Sequence, residues 1–165
     1  MKALTHGIAT FFWVGHLRPA PGTWGSLAAL PVGYGIAHYA GFWGLAVATL
    51  TAFALGLWAT AEETRGRADH DPSEIVIDEV AGQWIALFPV VYGATMMGAE
   101  LYRLWPGWVA AFVFFRLFDI TKPWLVGWAD RRGDALGVML DDVIAGVFAA
   151  LVVVALAALA HGVLM

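Results

Sequence analysis

The stretch GVMLDDVIAGVFAALVVVALAALA, Gly137 to Ala160, decides the fold. Beyond Asp142 it carries no charged residue, and a helix that crosses a bilayer needs about 20 largely apolar residues. Two adjacent carboxylates, Asp141 and Asp142, stand at the mouth of that run. The arrangement recurs in EIVIDEVAGQWIALFPVV, Glu74 to Val91, where Asp78 and Glu79 open another apolar run.

The rest of the composition agrees with a lipid solvent. Of 165 residues, 61% are hydrophobic and 13% charged, where a soluble chain carries about 25% charge. Mean hydropathy is +0.73. The length suits one compact domain, residues 1–165, with no second unit. Absence of cysteine excludes thiolate catalysis, thiolate metal sites and disulfides. A net charge of −4 gives no nucleic-acid footprint. In the N-terminal MKALTHGIATFFWVGHLRPAPG, His16 and Arg18 stand where a small-residue cleavage site would be, so this stretch reads as a retained interfacial segment.

Five apolar segments follow, at about Thr23–Tyr39, Phe42–Ala61, Val80–Gly98, Trp105–Phe118 and Val143–Val163. The expected fold is therefore an all-α integral membrane helical bundle. Ala40 and Gly41 alone separate the first two segments, which predicts a short hairpin, and Pro31 is expected to kink its first arm. Lys and Arg accumulate on the cytoplasmic side of short loops. With the N-terminus inside and all five segments crossing, eight of the nine Lys and Arg residues fall on that side, Arg103 being the exception. The same threading places every carboxylate except Glu100 there. The expected setting is a membrane crossed several times, with the chemistry facing the cytoplasm.

Ionisable residues at membrane depth are costly and mark functional sites. Capping and the helix dipole account for one acid at a helix N-terminus. They do not account for Asp119, at a helix C-terminal end, nor for acids at one level on three helices. Clustered carboxylates need protons or cations, and oxygen-only donors select hard ions such as Mg2+. Asp78, Glu79, Asp119, Asp141 and Asp142 are thus candidate metal ligands and catalytic acids. Mg2+ commonly bridges carboxylates to a substrate phosphate.

Arg116, Asp119 and Lys122 follow at i, i+3, i+6 and share a helical face if the helix persists that far, which suits Arg116 and Lys122 to clamp a phosphoryl group. Ahead of the first segment, PAPGTWGS offers backbone N–H groups and the hydroxyls of Thr23 and Ser26 to an anion. His6, His38 and His161 have no charged sequence neighbours and read as interfacial or packing residues. Ala81 with Gly82 and Ala145 with Gly146, one turn past the acid pairs, allow helices to approach closely.

Four ordered motifs, PGTWGSLAALP, IVIDEVAGQW, FRLFDITKPW and GVMLDDVIAGV, resemble those of the bacterial phosphatidylglycerophosphatase A family. The resemblance covers Pro21 to Val147 and implies a Mg2+-dependent membrane phosphatase. Such an enzyme removes the terminal phosphate of phosphatidylglycerophosphate to leave phosphatidylglycerol. It further implies that Asp78, Glu79, Asp119, Asp141 and Asp142 are the metal and catalytic acids, that Arg116 and Lys122 contact phosphate, and that Thr23 belongs to a substrate-binding loop. Leu125 departs from the proline expected after KPW. Whether water or an aspartate attacks phosphorus stays open.

Two other classes compete. A transporter or cation channel would carry its acids near the midplane rather than at one face. A CDP-alcohol phosphotransferase would carry an ordered Asp, Gly and Arg signature that is absent here. A homodimer is one assembly that so small a bundle permits.

Overall fold

A computed structural model describes residues 2–67 and 69–164. Its elements are helices α1 (Lys2–Ala9), α2 (Pro21–Glu63), α3 (Ile77–Met97), α4 (Trp105–Thr121), α5 (Leu125–Asp130) and α6 (Ala135–Leu164), with short 3-10 turns at Val14–His16 and Leu101–Leu104. Four helical stretches are long and apolar enough to span a membrane: Pro21–Glu63, Ile77–Met97, Leu101–Thr121 and Ala135–Gly162. The outward faces of these stretches are apolar, as at Val47, Leu50, Val113, Leu151 and Leu159, which is what lipid contact requires.

Helix α3 is the centre of the bundle. Twelve of its 21 residues are buried, against two in α4. It packs on α2, α4 and α6. Around Val80, Leu87 and Val91 the core gathers Leu45, Phe115 and Met139 from the other three helices. The α3–α6 crossing is close because both helices present glycine there. A Cβ at Gly146 would stand 2.4 Å from the Gly82 carbonyl oxygen, and one at Gly82 would stand 2.5 Å from the Asp142 carbonyl oxygen. The small residues flagged in the sequence do what close packing asks of them.

Helix α2 runs through Pro31 without losing its helical backbone and breaks instead at Gly41 (φ 64, ψ −162). Only glycine takes that conformation freely. On one side of the break Gly25 faces Val76, and on the other Gly56 faces Ile77 and Met139. Phe42, beside the break, stacks edge-on against Phe88 and Tyr92 near the far end of α3.

Boundaries differ from the sequence expectation in one instructive way. Hydropathy starts the third and fifth segments after their acids, at Val80 and Val143, whereas helical hydrogen bonding begins earlier, at Ile77 and Ala135. Asp141 and Asp142 consequently lie nearly two turns inside α6, too deep to act as caps. Helix α5 was not expected, since six residues with one glycine carry no readable period.

The N-terminal segment hooks onto the bundle. Val76 N–H donates to the Ala9 carbonyl (2.9 Å) just ahead of α3, and Gly15 abuts the Glu74 carbonyl so closely that a Cβ would not fit. His6 is not an unpartnered packing residue. Its Nδ1 lies 3.1 Å from Glu63 Oε2 and its Nε2 lies 2.9 Å from His16 Nε2, a juxtaposition between distant positions that local sequence does not announce.

Candidate active site

All five acids expected from the sequence converge at one end of the bundle. They line a cavity of about 240 Å3 together with Arg116, Lys122, Pro21, Gly22 and the α2–α3 loop residues Asp71 and Ser73. Helix α3 brings Asp78 and Glu79 in its first turn, α4 brings Asp119 in its last turn and Arg116 about one turn earlier, and α6 brings Asp141 and Asp142. Thr23 is not part of that wall; its neighbours Pro21 and Gly22 are. A Cβ at Gly22 would meet the Glu79 carboxylate, which would have to shift to make room, so glycine here leaves the start of α2 close to this acid.

The acid pairs of α3 and α6 are built alike. Glu79 N–H donates to Asp78 Oδ1, and Asp142 N–H donates to Asp141 Oδ1, each at 3.0 Å. One oxygen apiece from Asp78, Glu79 and Asp142 then lies within 4.8 Å of the other two. Asp78 and Asp142 are buried, at 6% and 2% exposure. Glu79 Oε2 and Asp142 Oδ1 are buried with no hydrogen-bond donor. A buried acceptor left unpaired costs roughly 1–3 kcal/mol, and more when charged.

Two cations sit among the acids. Arg116 is ion-paired with Asp119, its Nη1 lies 3.9 Å from Glu79 Oε1, and it donates to Ser26 Oγ at 3.5 Å. Ser26 in turn donates to the Gly22 carbonyl (2.9 Å), tying the start of α2 to α4. Lys122 does not continue the face of Arg116 and Asp119, because α4 ends at Thr121 and Lys122 caps it in the left-handed conformation (φ 45, ψ 54). Its Nζ instead donates to Asp141 Oδ2 (2.9 Å) and pairs with Asp130 of α5. Burial alone would lower the Lys122 pKa, but its hydrogen bonds to Asp130 and Asp141 outweigh it and push the ammonium above the usual lysine range.

Six carboxylates and two cations therefore share one small cavity. The deficit of positive charge, the orphaned oxygens of Glu79 and Asp142 and the all-oxygen donor set together fit a hard divalent cation. Asp78, Glu79 and Asp142 would hold it. A larger cavity of about 630 Å3 lies between Lys2, Trp58 and Arg67, but its acids are already satisfied: Glu62 by Arg65, and Glu63 by Thr5, His6 and Arg67. The smaller one is the candidate site. Sequence reasoning missed Asp71, Ser73 and Asp130, which lie outside the apolar segments where acids stand out. Only the closeness of Asp71 to the Asp78–Glu79 pair could have flagged it.

The chain is also similar in sequence to known proteins. The phosphatidylglycerophosphatase A family model matches residues 7–157. A phosphatidylglycerophosphatase A of Haemophilus influenzae is 35% identical over 153 residues, covering 92% of this chain and 87% of the relative. One from Escherichia coli is 34% identical, covering 88% and 78%. A Bacteroides thetaiotaomicron protein with the provisional name phosphatidylinositol-3-phosphatase is 36% identical, covering 86% of each chain. No solved structure matches. A family model spanning nearly the whole chain, and relatives aligned across most of their own length, lead to one conclusion: the chain belongs to the phosphatidylglycerophosphatase A family of lipid phosphatases.

Proposed function

We propose that the protein is a Mg2+-dependent phosphatase that hydrolyses the terminal phosphomonoester of phosphatidylglycerophosphate, giving phosphatidylglycerol and phosphate. The observation that carries this reading is the convergence of five acids with Arg116 and Lys122 on one cavity at the end of an apolar bundle, in a chain of this family. The whole chain would be one membrane-embedded phosphatase domain. The two arms of α2 would be separate crossings of a hairpin, since both Gly25 and Gly56 lie level with the start of α3 while Phe42 lies near its end. That gives five crossings, and the distribution of Lys and Arg then favours a cavity facing the cytoplasm of a bacterial inner membrane.

In this mechanism Asp78, Glu79 and Asp142 would hold Mg2+. When bound, the ion supplies Lewis-acid polarisation of the phosphoryl group. Arg116, steadied by Asp119 and Ser26, presents guanidinium N–H groups to the equatorial phosphoryl oxygens, where charge builds in the transition state. Lys122, kept charged by Asp130 and Asp141, adds a second cation from α4's end. The lipid tails stay in the membrane beside the exposed Ile120 at the cavity's lip.

Phosphate release from phosphatidylglycerophosphate by detergent-purified protein, in Mg2+ and in EDTA, tests the proposal. Release should need Mg2+ and disappear in Asp142→Asn. Phosphatidic acid and phosphatidylinositol 3-phosphate belong beside it, the latter because of the Bacteroides relative's name. Faster release from either would move the proposal to that substrate, and no release from any lipid by folded protein would sink it.

A further inference from the structure

We propose that Asp71 is the general acid of this phosphatase, passing its proton to the glycerol oxygen that leaves as the terminal phosphate is removed. The inference rests on the phosphomonoester hydrolysis proposed above. Five of the six cavity carboxylates already have work. Asp119 is paired with Arg116 and Asp141 with Lys122, while Asp78, Glu79 and Asp142 form the converging trio. Among the described residues Asp71 has no cation within salt-bridge distance; its backbone N–H donates to Asp69 Oδ1 at 3.0 Å. It is also the one exposed acid of the wall, carried by the α2–α3 loop instead of a membrane helix.

That position matches what the leaving group needs. In phosphoryl transfer the attacking and leaving oxygens lie roughly in line on opposite sides of phosphorus. With the phosphoryl oxygens held in the depth by Arg116 and Lys122, the rest of the lipid extends through the open side, where exposed Asp71 stands. A glycerol alkoxide is a strong base and leaves poorly without a proton. As the nucleophile's bond to phosphorus forms, the bond to the glycerol oxygen breaks and its electron pair stays on that oxygen. The Asp71 proton then joins it, giving a neutral alcohol. The oxygen delivered to phosphorus comes from water, whose proton passes to a site carboxylate, and exposed Asp71 takes a new proton from solvent. Although its surface is open to solvent, the protein atoms packed around Asp71 strip part of its hydration and push its carboxyl above the ordinary value; Lys122 opposes this, and Asp130, Asp69 and Asp119 reinforce it.

The experiment compares phosphatidylglycerophosphate with an analogue whose bridging oxygen to the terminal phosphate is sulfur, because a thiolate leaves without protonation. Both are given to the full-length protein and to Asp71→Asn, with Mg2+ half-saturation and thermal unfolding measured alongside. The variant should cleave the oxygen-bridged lipid about 10²- to 10⁴-fold more slowly and the sulfur-bridged one at close to the wild-type rate. Its unfolding midpoint and Mg2+ half-saturation should be unchanged. Equal losses on both lipids, or undiminished cleavage of the oxygen-bridged lipid, overturn the assignment. If the folded wild-type protein releases phosphate from neither, the phosphatase reading itself fails and this inference falls with it.

Discussion

Gly146→Ala adds one methyl group at the place where α3 and α6 touch backbone to backbone. The new Cβ would stand 2.4 Å from the Gly82 carbonyl oxygen, 3.0 Å from its carbon and 3.1 Å from the Gly82 Cα. Ordinary contact begins near 3.4 Å, so the helices must part by about 1 Å, and no flexible side chain is available to absorb the strain. Overpacking of this kind costs roughly 1–3 kcal/mol. The functional effect should be larger. Asp142 lies one turn before Gly146, and Asp78 one turn before Gly82, so the separation opens a trio whose oxygens lie within 4.8 Å of one another. A misplacement of about 1 Å at a catalytic constellation can cost about 10²-fold in rate. Phosphate release across a Mg2+ titration, with thermal unfolding in the same detergent, reads both effects. The variant should be about 10²-fold slower, need more Mg2+ and unfold at lower temperature. Gly35→Ala is the control, because nothing lies within 4 Å of its Cβ position; it should keep full activity and gain up to about 1 kcal/mol of helix propensity. Wild-type rate and metal dependence in Gly146→Ala would refute the claim that this crossing sets the spacing of the acids.

Arg116→Lys should lower kcat by about 10²-fold, because one ammonium cannot serve Asp119, Glu79 and Ser26 together while still facing a phosphoryl group; a rate within a few-fold of wild type would remove Arg116 from the mechanism. His6→Ala should lower stability by about 1 kcal/mol through loss of its contact with Glu63, and an unchanged unfolding midpoint would mean that α1 is held by other contacts. Lys122 predicts a pH dependence. Its folded-state pKa lies above the ordinary lysine value of 10.5, so its stabilisation is fully present below 10.5 and lost as pH rises through the folded value. Lys122→Gln should thus be less stable than wild type throughout the neutral and mildly alkaline range, and the two unfolding curves should converge only at more alkaline pH.

How far the sequence could be read depended on how local the information was. The apolar runs, the acid pairs at their mouths and the small residues one turn further on are all local patterns, and α3 and α6 followed from them. Asp119 could be placed beside Arg116 because both ride on one helix. What escaped was set by distant partners or by segments too short to carry a period. Asp130 reaches Lys122 only because α5 turns the chain back toward α6. Asp71 joins the cavity because its loop folds over the start of α3. The link from His6 to Glu63 joins positions 57 residues apart. The third and fifth segments began late in the sequence reading because hydropathy penalises the very carboxylates that α3 carries in its first turn and α6 nearly two turns in.

The location of the acids at helix ends also bears on how such a chain can enter a membrane. Helix α3 emerges from the ribosome with Asp78 and Glu79 before Arg116, Lys122 or Asp142 has been made. Were those two carboxylates halfway along the helix, each would have to cross the hydrocarbon without its counter-charge, at roughly 2.5–3.5 kcal/mol for an aspartate at the centre. In the first turn they can wait, hydrated, at the surface while the apolar remainder partitions inward. Only when α6 arrives and its glycine meets that of α3 are the acids drawn out of water. Assembly of the acid-lined end is thereby postponed to the last step of insertion, when every group that stabilises it is already in place.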